Sequence, residues 1–128
     1  MAAASSGCST SIIGDWTADT GATDSGDILR ILEDGTGRRE TFRPFRGGEL
    51  AAVYDIDWRA GGTGFELVLT CSDASFELTG HTYRGCNEVE AFLNTGLDEQ
   101  ERWICNYERS VDRLECLVDG SRRNYYAF

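Results

Sequence analysis

Between Leu50 and Arg59 apolar and polar residues take turns. Leu50, Ala52, Tyr54, Ile56 and Trp58 fall on one face of an extended chain, and Asp55, Asp57 and Arg59 fall on the other. A two-residue period marks a strand buried on one side, because successive side chains of a strand point to opposite faces. The habit recurs along the chain. Ile12–Thr17, Asp27–Glu33 and Arg38–Phe45 read as strands, as do the run from Phe65 to Cys71 and the segments Ser75–Thr79 and His81–Arg84. Glu101–Arg109, Arg113–Val118 and Arg123–Phe128 complete the set. Asp34-Gly35, Ala60–Gly64 and Asp119-Gly120 supply the positive φ values that tight reversals require. Asn87–Gly96 is either a short helix capped by Asn87 and stopped at Gly96, or a loop over one end of the fold.

The expected fold is therefore all-β, a single antiparallel meander of eight or nine strands. At 128 residues the chain is one domain. Eight strands suffice to close a barrel, and closure removes exposed edges. A two-sheet β-sandwich is the alternative. Residues 12–128 form the barrel domain in this reading, and residues 1–11 stand apart as a disordered leader or tether of small residues.

The chain carries a net charge of −10 and a pI near 4.4, which excludes nucleic acid and bare anionic membrane as partners. Every one of its twelve basic residues is arginine. Nucleophile-elbow, phosphate-loop and dinucleotide motifs are absent, so the sequence leans away from catalysis and calls for no cofactor. No metal site is expected either: no cysteines sit as C-x-x-C, His81 is the only histidine, and Asp55 with Asp57 reads as solvated charge. His81 with Cys71 or Cys86 as a nucleophile pair is the weakest of the readings considered.

Five cysteines are many for a cytosolic chain of this size. Cys71, Cys86, Cys105 and Cys116 lie in the body, and Cys8 lies in the leader. Four cysteines allow three connectivities. The positions favour local pairing, Cys105 with Cys116 across one hairpin and Cys71 with Cys86 across the preceding turn region. Buried free thiols are the alternative.

Gly14-Asp15-Trp16 opens the first strand. A Gly-x-Trp there resembles the start of the calycins, the barrel group that contains lipocalins and avidins. The glycine would let the strand bend across the barrel floor, and the indole would plug the closed end while its N–H finds a partner. The resemblance also implies a late-strand arginine, Arg122 or Arg123, against that tryptophan. Ser6-Gly7-Cys8 is similar to the end of a bacterial lipoprotein signal, with Cys8 as the lipidated residue, although the apolar segment of such a signal is missing. An incidental linker cysteine is the alternative.

Aromatic residues on expected inward faces are Trp16, Phe42, Tyr54, Trp58, Phe65, Trp103, Tyr107 and Tyr126. Of these, Tyr54, Trp58, Phe65, Trp103, Tyr107 and Tyr126 are the candidate ligand-binding wall; simple filling of the barrel is the competing reading. The leading functional expectation is non-catalytic binding of a small apolar or amphipathic molecule. The protein would be exported, periplasmic or at the outer surface, and would touch membrane only through a lipid on Cys8. Two other classes stand beside it: a barrel-shaped protease inhibitor using the leader, and a small barrel cyclase or isomerase.

Overall fold

The computed structural model describes residues 12–19, 23–62 and 64–127. Nine strands and one helix follow one another: β1 (Gly14–Ala18), β2 (Gly26–Ile31), β3 (Thr36–Phe45), β4 (Gly48–Gly61), β5 (Gly64–Leu78), β6 (His81–Arg84), α1 (Cys86–Leu93), β7 (Glu101–Glu108), β8 (Arg113–Val118) and β9 (Ser121–Ala127). Each strand pairs antiparallel with the next, except that β5 pairs with both β6 and β7, and β9 returns to β1. Eight strands thus close a barrel, and β6 is added outside the ring. The all-β meander expected from the alternation, and the barrel closure expected from the Gly14-x-Trp16 resemblance, are both observed. The leader and the proposed lipidation site Cys8 lie outside the described residues.

Gly14 has φ +138°, a backbone conformation that side chains rarely adopt, at the point where the chain enters the barrel. Just beyond it Trp16 Nε1 donates to the Ile12 carbonyl at 2.8 Å, and both residues are buried. Trp16 meets Tyr107 edge-on, with ring centroids 5.8 Å apart. The positive φ at Gly14 and the partnered indole N–H are as the Gly-x-Trp pattern implied. The arginine partner is different: Arg123 lies over Trp103, at 5.6 Å, rather than over Trp16.

The strands read as Phe65–Cys71 and Ser75–Thr79 are one strand. Across the β4–β5 pair Val53 faces Asp73 while Tyr54 faces Cys71, so Ser72 is an extra residue, a β-bulge. Its hydroxyl donates to the Val53 carbonyl at 3.2 Å. The bulge resets the parity of β5. Leu67 and Leu69 are buried before it, and Ala74 and Phe76 after it. On β4, Leu50 and Ala52 keep the parity of Ile56, so the bulge holds Ala74 and Phe76 on the face that they share.

Two apolar clusters result. The first fills the barrel, with Trp16, Leu29, Ile31, Ile56, Leu67, Leu69, Trp103, Leu114 and Tyr125 among its members. The second joins Leu50, Ala52, Ala74 and Phe76 to Val89 and Leu93 of α1. Fully burying one such large side chain contributes about 1.5–3 kcal/mol, so both clusters matter. Val89 and Leu93 are four residues apart and share one face of α1. The helix begins at Cys86, one residue before the expected cap, and Gly85 precedes it without a side-chain cap. It ends where Asn94 turns left-handed, φ 55°.

Two disulfides brace these parts. Cys105 and Cys116 are register partners on β7 and β8, with Cα atoms 4.0 Å apart, and both are fully buried. Cys71 and Cys86 tie the bulge of β5 to the start of α1, with Cα atoms 6.2 Å apart. The thiols that a Cys–His nucleophile would need are thereby consumed.

Candidate functional site

The barrel is filled at one end and hollow at the other. Trp58 and Phe65 stand beside the β4–β5 turn, with ring centroids 6.1 Å apart, and Trp58 Nε1 donates to the Leu32 carbonyl at 2.7 Å. Towards the opposite end of β4 lies a cavity of about 340 Å³. Asp27 of β2, Arg39 and Arg43 of β3, Leu50, Ala52 and Tyr54 of β4, and Glu101 and Arg123 line it. The segment after α1, with Gly96 and Leu97, borders its mouth.

At its base sits a buried ion pair. Arg39 Nε and Nη2 donate to the two Asp27 oxygens at 3.0 and 2.9 Å. The Tyr125 hydroxyl donates to Asp27 Oδ2 at 2.8 Å, and Arg123 Nη1 lies 3.8 Å from the same oxygen. Asp27 is 8% exposed and Arg39 is 7% exposed. Register explains the meeting. Arg39 stands opposite Leu29 and Asp27 opposite Thr41, so the two charged residues are diagonal neighbours on the inner face.

Aromatic faces line the pair. The Arg39 guanidinium lies 4.8 Å from the Trp103 ring and 5.2 Å from the Tyr54 ring, the near side of the negative quadrupole of each. Trp103 also stacks on Tyr125, with centroids 6.1 Å apart. Burial by itself favours a neutral guanidine, but the bonds to Asp27 more than offset it and hold Arg39 charged. Burial raises the Tyr125 phenol well above its usual range.

The wall above carries charges with no partner of opposite sign. Glu101 Oε1 accepts from Trp103 Nε1 at 3.1 Å, yet no arginine comes within salt-bridge distance of it among the described residues. Arg43 rests its guanidinium 4.6 Å from the Phe45 ring and likewise has no carboxylate partner. Tyr54 lines the same cavity. Its phenol is raised by burial, lowered by Arg39 and Arg43 and raised by Glu101, so it feels both signs.

No protein-family model, curated protein or solved structure matches the chain.

Of the six aromatic residues expected to form the wall, Tyr54 lines the cavity and Trp103 lies fully buried beneath the Arg39 guanidinium. Trp58, Phe65 and Tyr107 pack against the barrel core away from the cavity, and the Tyr107 hydroxyl donates to Asp112 Oδ1 at 2.7 Å. Tyr126 faces outward, 38% exposed; Tyr125 is the inward residue. Phe42, also expected inside, is 48% exposed and covers Gly26 on the outer face, where a Cβ would run into its ring. The residues that sequence reasoning missed are Asp27, Arg39, Arg43 and Glu101. The signal for two of them was parity, since Asp27 keeps step with Leu29 and Ile31, and Arg39 with Gly37 and Thr41.

Glu90 holds the mouth segment. Its carboxylate accepts from the backbone N–H groups of Gly96 (2.8 Å), Leu97 (2.9 Å) and Thr95 (3.0 Å), and from the Thr95 hydroxyl (3.1 Å). These bonds, that from Gly96 foremost, keep it below the ordinary glutamate value of 4.5. A depressed carboxylate stabilises the fold above its unfolded value and loses that contribution as pH falls through the folded one. The amide proton resonances of Gly96 and Leu97 should therefore shift upfield as pH falls below the ordinary glutamate range. Glu90→Gln should abolish the titration. Amides that stay fixed down to full protonation would show that the carboxylate does not hold this segment.

Proposed function

We propose that this protein binds a small amphipathic molecule at the open end of its barrel, as a lipocalin-like carrier, without chemistry on the ligand. The observation that supports the reading most is the uneven filling of the barrel. Its interior is packed from Trp16 to Trp103, whereas a cavity of about 340 Å³ remains beside the segment after α1. Ligand pockets typically start near 300 Å³ and combine an apolar wall with a few placed polar groups. Leu50, Ala52 and Leu97 supply the apolar part here, and the arginines and carboxylates supply the rest. Two disulfides accord with an oxidising, exported setting.

Titration with anilinonaphthalene sulfonate, an amphipathic dye, tests this. Fluorescence should rise and saturate at one dye per chain. Ala52→Trp, which drives an indole into the cavity from a residue only 2% exposed, should abolish the signal while the strand circular dichroism persists. A linear, unsaturated response, or equal binding by the filled variant, would overturn the proposal.

A further inference from the structure

We infer that the ligand of this cavity is a zwitterion of the amino-acid class, carrying a carboxylate and an ammonium group beside an apolar side chain. The inference rests on the binding role proposed above and specifies its ligand.

Three features of the cavity wall carry it. The first is a donor set for a carboxylate. Arg39 spends Nε and Nη2 on Asp27, while its Nη1 has no hydrogen-bond partner among the described residues, and the side chain is only 8% exposed. Arg43 lines the same cavity without a carboxylate partner. Guanidinium groups are well suited to carboxylates, because their donors form a planar fork.

The second feature is an acceptor for a cation. Glu101 lines the cavity, half-buried, and among the described residues its carboxylate has one hydrogen bond, from Trp103 Nε1. A half-buried carboxylate without a positive partner gains from an incoming ammonium group. The third is the separation of the two. Glu101 and the free arginine donors lie beyond salt-bridge reach of one another among the described residues, yet they line one cavity. The Tyr54 hydroxyl, on the same cavity wall, also has no hydrogen-bond partner among the described residues. A ligand charged at only one end would leave the opposite wall uncompensated. Leu50, Ala52 and Leu97 then receive an aliphatic side chain.

The balance of hydration makes the idea discriminating. A zwitterion gives up the hydration of two charges on entry, so a merely apolar or merely cationic cavity would prefer the simpler analogue. Calorimetric titration of the intact protein with three probes of matched side chain separates the cases: L-leucine, 4-methylpentanoate (no ammonium) and 3-methylbutylamine (no carboxylate). L-Leucine should bind at least about tenfold tighter than either analogue, as expected where each charge gains a charge-assisted bond. Glu101→Gln keeps an oxygen for Trp103 Nε1; it should weaken L-leucine about tenfold and leave 4-methylpentanoate unchanged. Arg43→Gln should weaken both. If 4-methylpentanoate binds as tightly as L-leucine, or if Glu101→Gln has no effect, the zwitterion assignment falls. The carrier reading survives that outcome as long as the dye still saturates. Loss of the dye signal together with all three probes would end both.

Discussion

Asp27→Asn should cost about 3–5 kcal/mol of stability, the largest effect expected of any single polar substitution in this chain. The substitution keeps the shape but leaves the Arg39 guanidinium, 7% exposed, without the charge that balances it. It also weakens the bond from the Tyr125 hydroxyl and the approach of Arg123. At roughly 4 °C per kcal/mol for a domain of this size, the melting temperature should fall by about 12–20 °C. The pair is not an asset in itself, because desolvation of two ions offsets most of their attraction. Replacing both members by apolar residues, Asp27→Leu with Arg39→Met, should therefore recover most of the loss. A double variant as unstable as the single one would mean that the network through Tyr125 and Arg123, rather than the charge balance, sets the cost. The two proteins should differ in binding too, since only the apolar pair removes the donor at the cavity base.

The barrel was readable because its cause is local and repetitive. Most strands alternate, three of the reversals carry Asp-Gly or a run of glycines (Asp34-Gly35, Gly61–Gly64 and Asp119-Gly120), and antiparallel neighbours follow from such tight turns. The errors have equally local causes. Ser72 adds one residue within β5 and shifts the count of its inward positions from odd to even, so a continuous strand looked like two. A bulge has no sequence signature as plain as a glycine turn; here it is a polar Ser72-Asp73 step inside an extended run. Phe42 looked inward because it is large and apolar, yet it serves as the outer cover of Gly26. Tyr125 and Tyr126 are adjacent and alike, and only the register of β9 against β1 and β8 decides which one enters the core.

The polar base of the cavity was hidden for a different reason. Hydrophobic reasoning places aromatic residues inside and charges outside, and on that rule Asp27 and Arg39 belong to the surface. Their parity said otherwise. Each sits on the inward step of its strand, and β2 and β3 are joined by the Asp34-Gly35 reversal, so two opposite charges were bound to meet inside. Glu101 and Arg43 are brought to that spot by β7 and β3, which are far apart in sequence, and no local pattern announces it.

Reduction of both disulfides should produce the other large loss. The bonds join residues separated by 15 and 11 positions, and closing loops of that size contributes about 3 kcal/mol each. The two differ in access. Cys105 and Cys116 are fully buried, back to back with the barrel core, whereas Cys71 and Cys86 are half-buried at the base of α1. Mild reductant acting on the folded protein should open Cys71–Cys86 first, and Cys105–Cys116 only when the barrel itself opens. Alkylation with mass mapping should accordingly label Cys71 and Cys86 early and Cys105 and Cys116 in step with unfolding. The early product should keep its strand circular dichroism but lose dye binding, because α1, which carries the Thr95–Leu97 segment at the cavity mouth, has lost its tie to β5. Full reduction should lower the melting temperature by roughly 20 °C or more. Without reductant, thiol titration of the unfolded chain should find one free cysteine, since four of the five are paired. Simultaneous labelling of all four paired cysteines would show that the two bonds belong to one cooperative unit, and that α1 is no separate cover over the cavity.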